Sequence, residues 1–303
     1  MSFLFSITNA VLILFLWSIL RSSERNFYFN PYLSAINRVL EKVLDYASPI
    51  IPGAPKRTVA IVVFLFLLAF RNLIIPDLAT CPLADFGLDW NFLPPSGMPK
   101  LAAAMLSGTT RFIQFLFSFW GAIFIIRLVG KQGAESRISQ TYDELSAPFS
   151  CLRPGSMFAV LVLLNTVLAF TLMHVSGFAS HPVSQYGMEA IPIAHAPLGQ
   201  QVLFSLWLGT AGASICPLLF LQEFLVFFIF MSLFSIIFGR RILATFCQET
   251  INLVLGRFSS HPLSLGAFDF TPILFFLGLS FAYSLILQIL RLLRPYIFFT
   301  LSP

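Results

Sequence analysis

Few side chains in this chain of 303 residues could do chemistry, and most of them stand alone. Glu223, beside Gln222, lies inside a long apolar run. A charged side chain in hydrocarbon costs roughly 2.5–3.5 kcal/mol on insertion scales, so Glu223 must face protein or water and is a candidate ion or proton site. Asn165 and Arg111 lie in or beside two other apolar runs. With Glu223 they form a possible intramembrane polar site. Each also has a plainer reading. Glu223 can sit at the outer interface, paired with Arg111 or Lys100. Asn165 can hydrogen-bond between helices. Arg111 and Arg71, near helix ends, can snorkel to water. The stretch Phe268-Asp269-Phe270-Thr271-Pro272 reads as a helix start. The Asp269 carboxylate suits the exposed N–H groups and positive end of a helix, and Pro272 suits its first turn. A proton or cation on Asp269 is the alternative.

The remaining reactive residues are scattered. His174, His181 and His195 match no haem or zinc spacing. Cys81, Cys151, Cys216 and Cys247 contain no CxxC pair and read as packing thiols. There is no GxGxxG, P-loop, HExxH or GxSxG sequence. The expectation is a protein that is not an enzyme, with no catalytic residue, no metal and no cofactor.

The elements that must carry these residues follow from composition. The chain is 57% apolar and 10% charged, with 36 Phe and a mean hydropathy of +0.86. Soluble domains run about 45–50% apolar and about 25% charged, so a soluble enzyme, a disordered chain and a nucleic-acid-binding domain are excluded. The net charge of +5 therefore points to the anionic face of a bilayer and not to nucleic acid.

A helix needs about 20 apolar residues to cross about 30 Å of hydrocarbon. Phe3–Leu20, Thr58–Ile75, Phe112–Val129, Met157–Phe178 and Thr271–Leu290 qualify. Phe3–Leu20 has neither a basic residue before it nor a cleavage site after it, so it reads as a retained span. The apolar region from Gln201 to Phe238 is too long for one span and contains Pro217. We expect Pro217 to divide it, with a span over Leu218–Phe238 and Gln201–Cys216 as an interfacial or re-entrant arm. Lys100–Arg111, before the third span, has a similar small-residue composition.

Twelve of the eighteen basic residues fall between spans one and two, three and four, and five and six. The connections Pro76–Pro99 and Ala179–Gln200 contain no Lys or Arg. The positive-inside rule then puts the three basic loops on the cytoplasmic side of a bacterial inner membrane or its organellar equivalent, with both termini outside.

Spans one, three and five end near residues 20, 129 and 238, a period close to 109 residues. An amphipathic segment, a Pro-containing break and another span follow each. The segments are Pro31–Tyr46, Ile138–Phe149 and Ile242–Phe258, and Arg38, Lys42, Arg137, Arg240, Arg241 and Arg257 are their membrane-surface cations. An apolar stripe opposite Lys and Arg makes a helix that lies in the interface. The expected fold is all-α: a polytopic membrane protein with six spans in three span–surface helix–span repeats. Its units are residues 1–99, a degenerate second at 100–199, and a third at 200–303.

Three stretches carry a resemblance to a family. They are Asn26-Phe27-Tyr28-Phe29-Asn30-Pro31, the Ser48–Gly53 break, and Gly266-Ala267-Phe268-Asp269-Phe270-Thr271-Pro272. Together they resemble the YggT (YlmG) family of small membrane proteins, which usually has two such units. The match covers parts of the first and third units. Thr271 stands where the family usually has Ser, and the paired arginines before the last break are reduced to Arg257. The resemblance implies no enzymatic activity. It implies a role in osmotic-stress tolerance, envelope organisation or assembly of membrane complexes, with the bilayer and other membrane subunits as partners. An ion channel or osmolyte transporter is the alternative.

Overall fold

The computed structural model describes residues 3–20, 30–50, 52–74, 97–129, 137–146, 149, 152–175, 197–256, 258, 263–265 and 268–299. The fold over these residues is all-α. The helices are α1 (Phe3–Leu20), α2 (Pro31–Ala47), α3 (Lys56–Ile74), α4 (Lys100–Val129), α5 (Arg137–Leu145), α6 (Pro154–Val175), α7 (Leu198–Ile237), α8 (Arg241–Leu255) and α9 (Thr271–Phe299). A short antiparallel ribbon, β1 (Ser264–Leu265) with β2 (Phe268–Asp269), leads into α9. Long apolar runs become helices because hydrocarbon offers the backbone no water, and a helix satisfies every N–H and C=O internally.

Among the described residues four helices are long and apolar enough to cross a membrane: Lys100–Val129, Gly155–His174 within α6, Leu198–Ile237, and Thr271–Leu293 within α9. Six were expected. The first and second expected spans correspond to α1, in which Thr8–Leu20 is a shorter apolar helix, and to α3.

Two expectations are corrected. Pro217 does not divide the fifth region: α7 runs through it as one helix of 40 residues. A proline inside a helix forfeits one backbone hydrogen bond, whereas a break in apolar surroundings would strand several. Pro217 is also buried, packed on Gly121 of α4. Gln201–Cys216 is therefore the first half of α7 and not a separate arm. In the same way, Lys100–Arg111 is continuous with the third span within α4.

The chain folds as two compact units, each assembled from separated stretches. In the first unit (Met1–Leu116, Gln140–Cys151, Thr171–His195) α1 packs on α3, and α2 packs on both. Its core joins Phe15 and Trp17 of α1, Leu33, Leu40 and Leu44 of α2, and Val59 and Ala60 of α3. The late residues of α1 thus meet the early residues of α3, so the two helices run antiparallel. Phe64 of α3 meets Phe112 of α4 edge to face at 5.7 Å.

In the second unit (Phe117–Ser139, Leu152–Phe170, Ala196–Pro303) α7 is the hub, packed on α8 and α9. Ala122 and Ile126 of α4 join Leu218, Leu221 and Leu225 of α7, Val254 of α8 and Leu279 of α9. Gly209 of α7 lies directly on the backbone of Thr166 in α6. Small residues at such crossings let helices approach closely in lipid, where packing replaces the hydrophobic effect as the drive to associate.

Candidate functional site

The first unit holds two buried polar contacts whose partners the sequence does not announce. Asn30 precedes α2 in extended conformation, with Pro31 at its first turn. Its Oδ1 accepts from the N–H of Tyr32 at 3.0 Å and from that of Leu33 at 3.4 Å, an N-cap. Its Nδ2 donates to Thr141 Oγ1 of α5 at 3.0 Å, and both residues are buried. The Asn-Pro pair therefore sets where α2 starts and ties that start to α5. The capping signal was present in the sequence, but its long-range partner was not.

Arg71 is a second surprise. It was expected to snorkel, yet it is only 1% exposed, and its Nη1 donates to the Gly108 carbonyl of α4 at 2.7 Å. This guanidinium bonds to the backbone of a neighbouring helix, so α4 and not solvent receives it. Asn9 of α1 is fully buried too, and neither atom of its amide has a partner among the described residues. With α1 and α3 antiparallel, residues 9 and 71 fall toward the same end of the pair.

The proposed intramembrane trio is distributed as follows. Arg111 is half-buried on α4, in the first unit. Asn165 is buried in α6, in the second unit, and its Nδ2 donates to the Leu161 carbonyl one turn earlier at 2.9 Å. Its bond stays within its own helix and bridges no pair of helices among the described residues. Glu223 is exposed on α7. It lies fourteen residues beyond Gly209, the residue that meets Thr166, so about 21 Å of helix separates its level from that of Asn165. The polar bridge in this unit is instead Gln222, whose Nε2 donates to Ser280 Oγ of α9 at 2.8 Å.

At the start of α9, the Thr271 hydroxyl accepts the Leu263 N–H at 2.9 Å, and the Leu263 carbonyl accepts the Phe270 N–H at 3.1 Å. Thr271 thus clasps the ribbon to the start of α9. The first backbone bond of α9 runs from the Leu274 N–H to the Phe270 carbonyl at 3.0 Å, one residue after Asp269. Pro272 sits in the first turn. The Asp269 side chain lies outside what is described.

Arg38, Lys42, Arg137, Arg240 and Arg241 are all exposed, and Arg257 lies outside the described residues. The amphipathic helices differ from expectation in what their apolar stripes meet. Leu33, Leu40 and Leu44 of α2 pack in the core with α1 and α3, and Val254 of α8 packs with α7 and α9. The stripes are buried against protein, which turns the cations outward. His174 is exposed, while His181, His195, Cys81 and Cys151 lie outside the described residues. Cys216 is half-buried, and burial pushes the thiol of Cys247 on α8 above its ordinary value. Among the described residues no group of His, Cys, Asp or Glu could hold a metal. Compared with family models, with curated proteins and with solved structures, the chain matches none.

Proposed function

We propose that this chain is a non-enzymatic membrane scaffold or complex subunit. In this reading it has three span–surface helix–span units with six crossings, and it is of the kind that the resemblance to the YggT family implies. The observation that carries the proposal is the outward set of cations on short helices whose apolar stripes are already buried. In the first unit Arg38 and Lys42 are exposed on α2, whose stripe packs on α1 and α3; in the second Arg240 and Arg241 are exposed at the start of α8, which packs on α7 and α9, and Arg137 is exposed at the start of α5. A rigid cationic surface on either unit suits docking, because little ordering entropy remains to be lost on association.

A channel or osmolyte transporter would need polar side chains turned toward a path. Many hydroxyls here turn back to their own helices instead, among them Thr110, Thr166, Ser205, Thr210, Ser214 and Ser235. The test is purification of the full chain in native nanodiscs, with mass spectrometry of what stays bound. The expected result is a reproducible membrane-protein partner that is lost when Arg38 and Lys42 are changed together to Gln. A free chain that conducts ions or solute in proteoliposomes would overturn the reading.

A further inference from the structure

The corner between α7 and α8 joins features that neither helix needs for its own packing. α7 ends at Ile237, and Gly239 adopts a positive φ of 66°, which reverses the chain within three residues. The Phe238 N–H bonds back to the Phe234 carbonyl at 3.0 Å and the Arg240 N–H to the Ser235 carbonyl at 2.8 Å, so the corner is tied down. Its side chains nonetheless face out: Ile237 is 77% exposed, Phe238 61% and Ile242 84%. Arg240 and Arg241 lie between them and are exposed as well. On α8 the nearest carboxylate along the helix is Glu249, eight residues after Arg241, or about 12 Å.

We infer that this corner is a docking surface for anionic phospholipid headgroups. Two arguments select lipid over an acidic protein. First, the exposed apolar side chains continue an exposed stripe along the side of α7, through Phe230, Leu233 and Phe234. A surface that meets acyl chains along the helix meets the headgroup boundary where the helix ends. Second, the charge is complementary. The paired guanidinium groups suit a phosphodiester, and the positive end of the α8 dipole points to the same place. On α8 itself Arg241, Thr245, Gln248 and Asn252 form an exposed polar stripe while Cys247, Thr250 and Val254 are buried. The helix thus lies with its polar face to water, and Ile242 projects sideways toward the acyl boundary. The inference needs only a membrane-embedded chain; it gives Arg240 and Arg241 to lipid and leaves the partner test of the scaffold reading to Arg38 and Lys42.

The test uses the full chain in detergent micelles containing equal phosphatidylglycerol and phosphatidylcholine, with native mass spectrometry of the retained lipid. Each arginine near an anionic surface contributes about fivefold in binding, so the pair gives a preference of up to about 25-fold. Arg240→Gln with Arg241→Gln should abolish this share of the preference, while Arg240→Lys with Arg241→Lys should keep most of it. Arg38→Gln with Lys42→Gln, on the surface of α2, serves as the comparison and should change it less. A wild-type chain without preference would overturn the inference. So would a Gln pair that retains the full preference while eluting as a folded, monodisperse species. A protein that co-purifies with wild type and is lost with the Gln pair, the lipid ratio being unchanged, would also overturn it and would identify a protein interface.

Discussion

Alanine at Gly209 should destabilise the protein, and alanine at Gly278 should not. Both glycines are inside long apolar helices, α7 and α9. A Cβ built at Gly209 would stand 2.7 Å from the Thr166 nitrogen and 2.9 Å from its Cα, whereas nothing lies within 4 Å of a Cβ at Gly278. The Gly209 obstacle is backbone, so no rotamer change relieves it, and α6 must retreat by about 1 Å to restore ordinary contact. Overpacking of this kind costs about 1–3 kcal/mol. Replacing Gly by Ala also contributes about 0.5–1 kcal/mol of helix stability at either site. That gain cancels when the two variants are compared, so their difference isolates the packing term of about 1–3 kcal/mol. The assay is thermal unfolding of the full chain in detergent, followed by fluorescence-detected size exclusion. At about 2–4 °C per kcal/mol, Gly209→Ala should melt several degrees below Gly278→Ala. Thr166→Ala should fail to rescue it, because the clash includes the nitrogen and Cα of residue 166 and not only its hydroxyl. Equal midpoints for the two variants, or rescue by Thr166→Ala, would refute the close approach of α6 and α7.

Asn30→Ala should cost about 0.5–2 kcal/mol through the lost cap, and a double-mutant cycle with Thr141→Val should show coupling of about 0.5–1.5 kcal/mol, read from the same melting curves. Thr271→Val should release the Leu263 amide, seen as faster hydrogen exchange there, while Thr271→Ser keeps its protection. Cys247 is 1% exposed with its thiol pKa raised by burial, so maleimide should label it at pH 7.5 only after denaturation. The same shift sets a sign with pH. Above the ordinary thiol pKa of about 8.5 the unfolded chain gives up a proton that the native state retains, so the stability this thiol contributes declines from there until the raised native value is passed. Cys247→Ala should remove that part of the alkaline decline in a pH series of melting points.

The presence of the long helices was legible because one signal, continuous apolar sequence, specifies them, although α4 and α7 begin earlier than their expected spans. Phe3–Leu20 is matched residue for residue by α1, and the start of α9 at Thr271 was marked by Pro272. Pro31 and the buried stripe of α2 were equally readable from spacing. What the pattern cannot carry is which partner a polar residue finds. Arg71 near a helix end looks like a snorkelling side chain, and only the carbonyl of Gly108, 37 residues away, makes it a buried one. Asn165 in an apolar run looks like a bridge between helices, yet a turn of its own helix satisfies it. Gln222 drew notice only as a neighbour of Glu223, while its bond to Ser280 depends on the register of α7 against α9. Register is set by packing at places such as Gly121 and Gly209, and a glycine in an apolar run does not announce what will press against it.

The length of α7 makes the treatment of Pro217 a physical question rather than one of assignment. Forty residues rise about 60 Å, twice the hydrocarbon thickness, and Pro217 falls at the midpoint. Each half alone is about as long as the bilayer core is thick, and this is what made a division there reasonable. The proline removes the bond that the Ala213 carbonyl would otherwise accept from residue 217, which weakens the helix on one side and permits it to bend. In the next turn back the Ser214 hydroxyl donates to the Thr210 carbonyl at 2.7 Å, a back-bond that also eases bending. The ring itself presses on Gly121, where an added Cβ would come within 2.8 Å of the proline Cβ. The residue that weakens the α7 ladder is therefore the one that seats α4 against it, and the loss of one hydrogen bond is offset by a close helix crossing. The halves of α7 stay joined because separating them would expose backbone groups that only the helix satisfies. They are free to bend because proline has already removed one bond of that ladder.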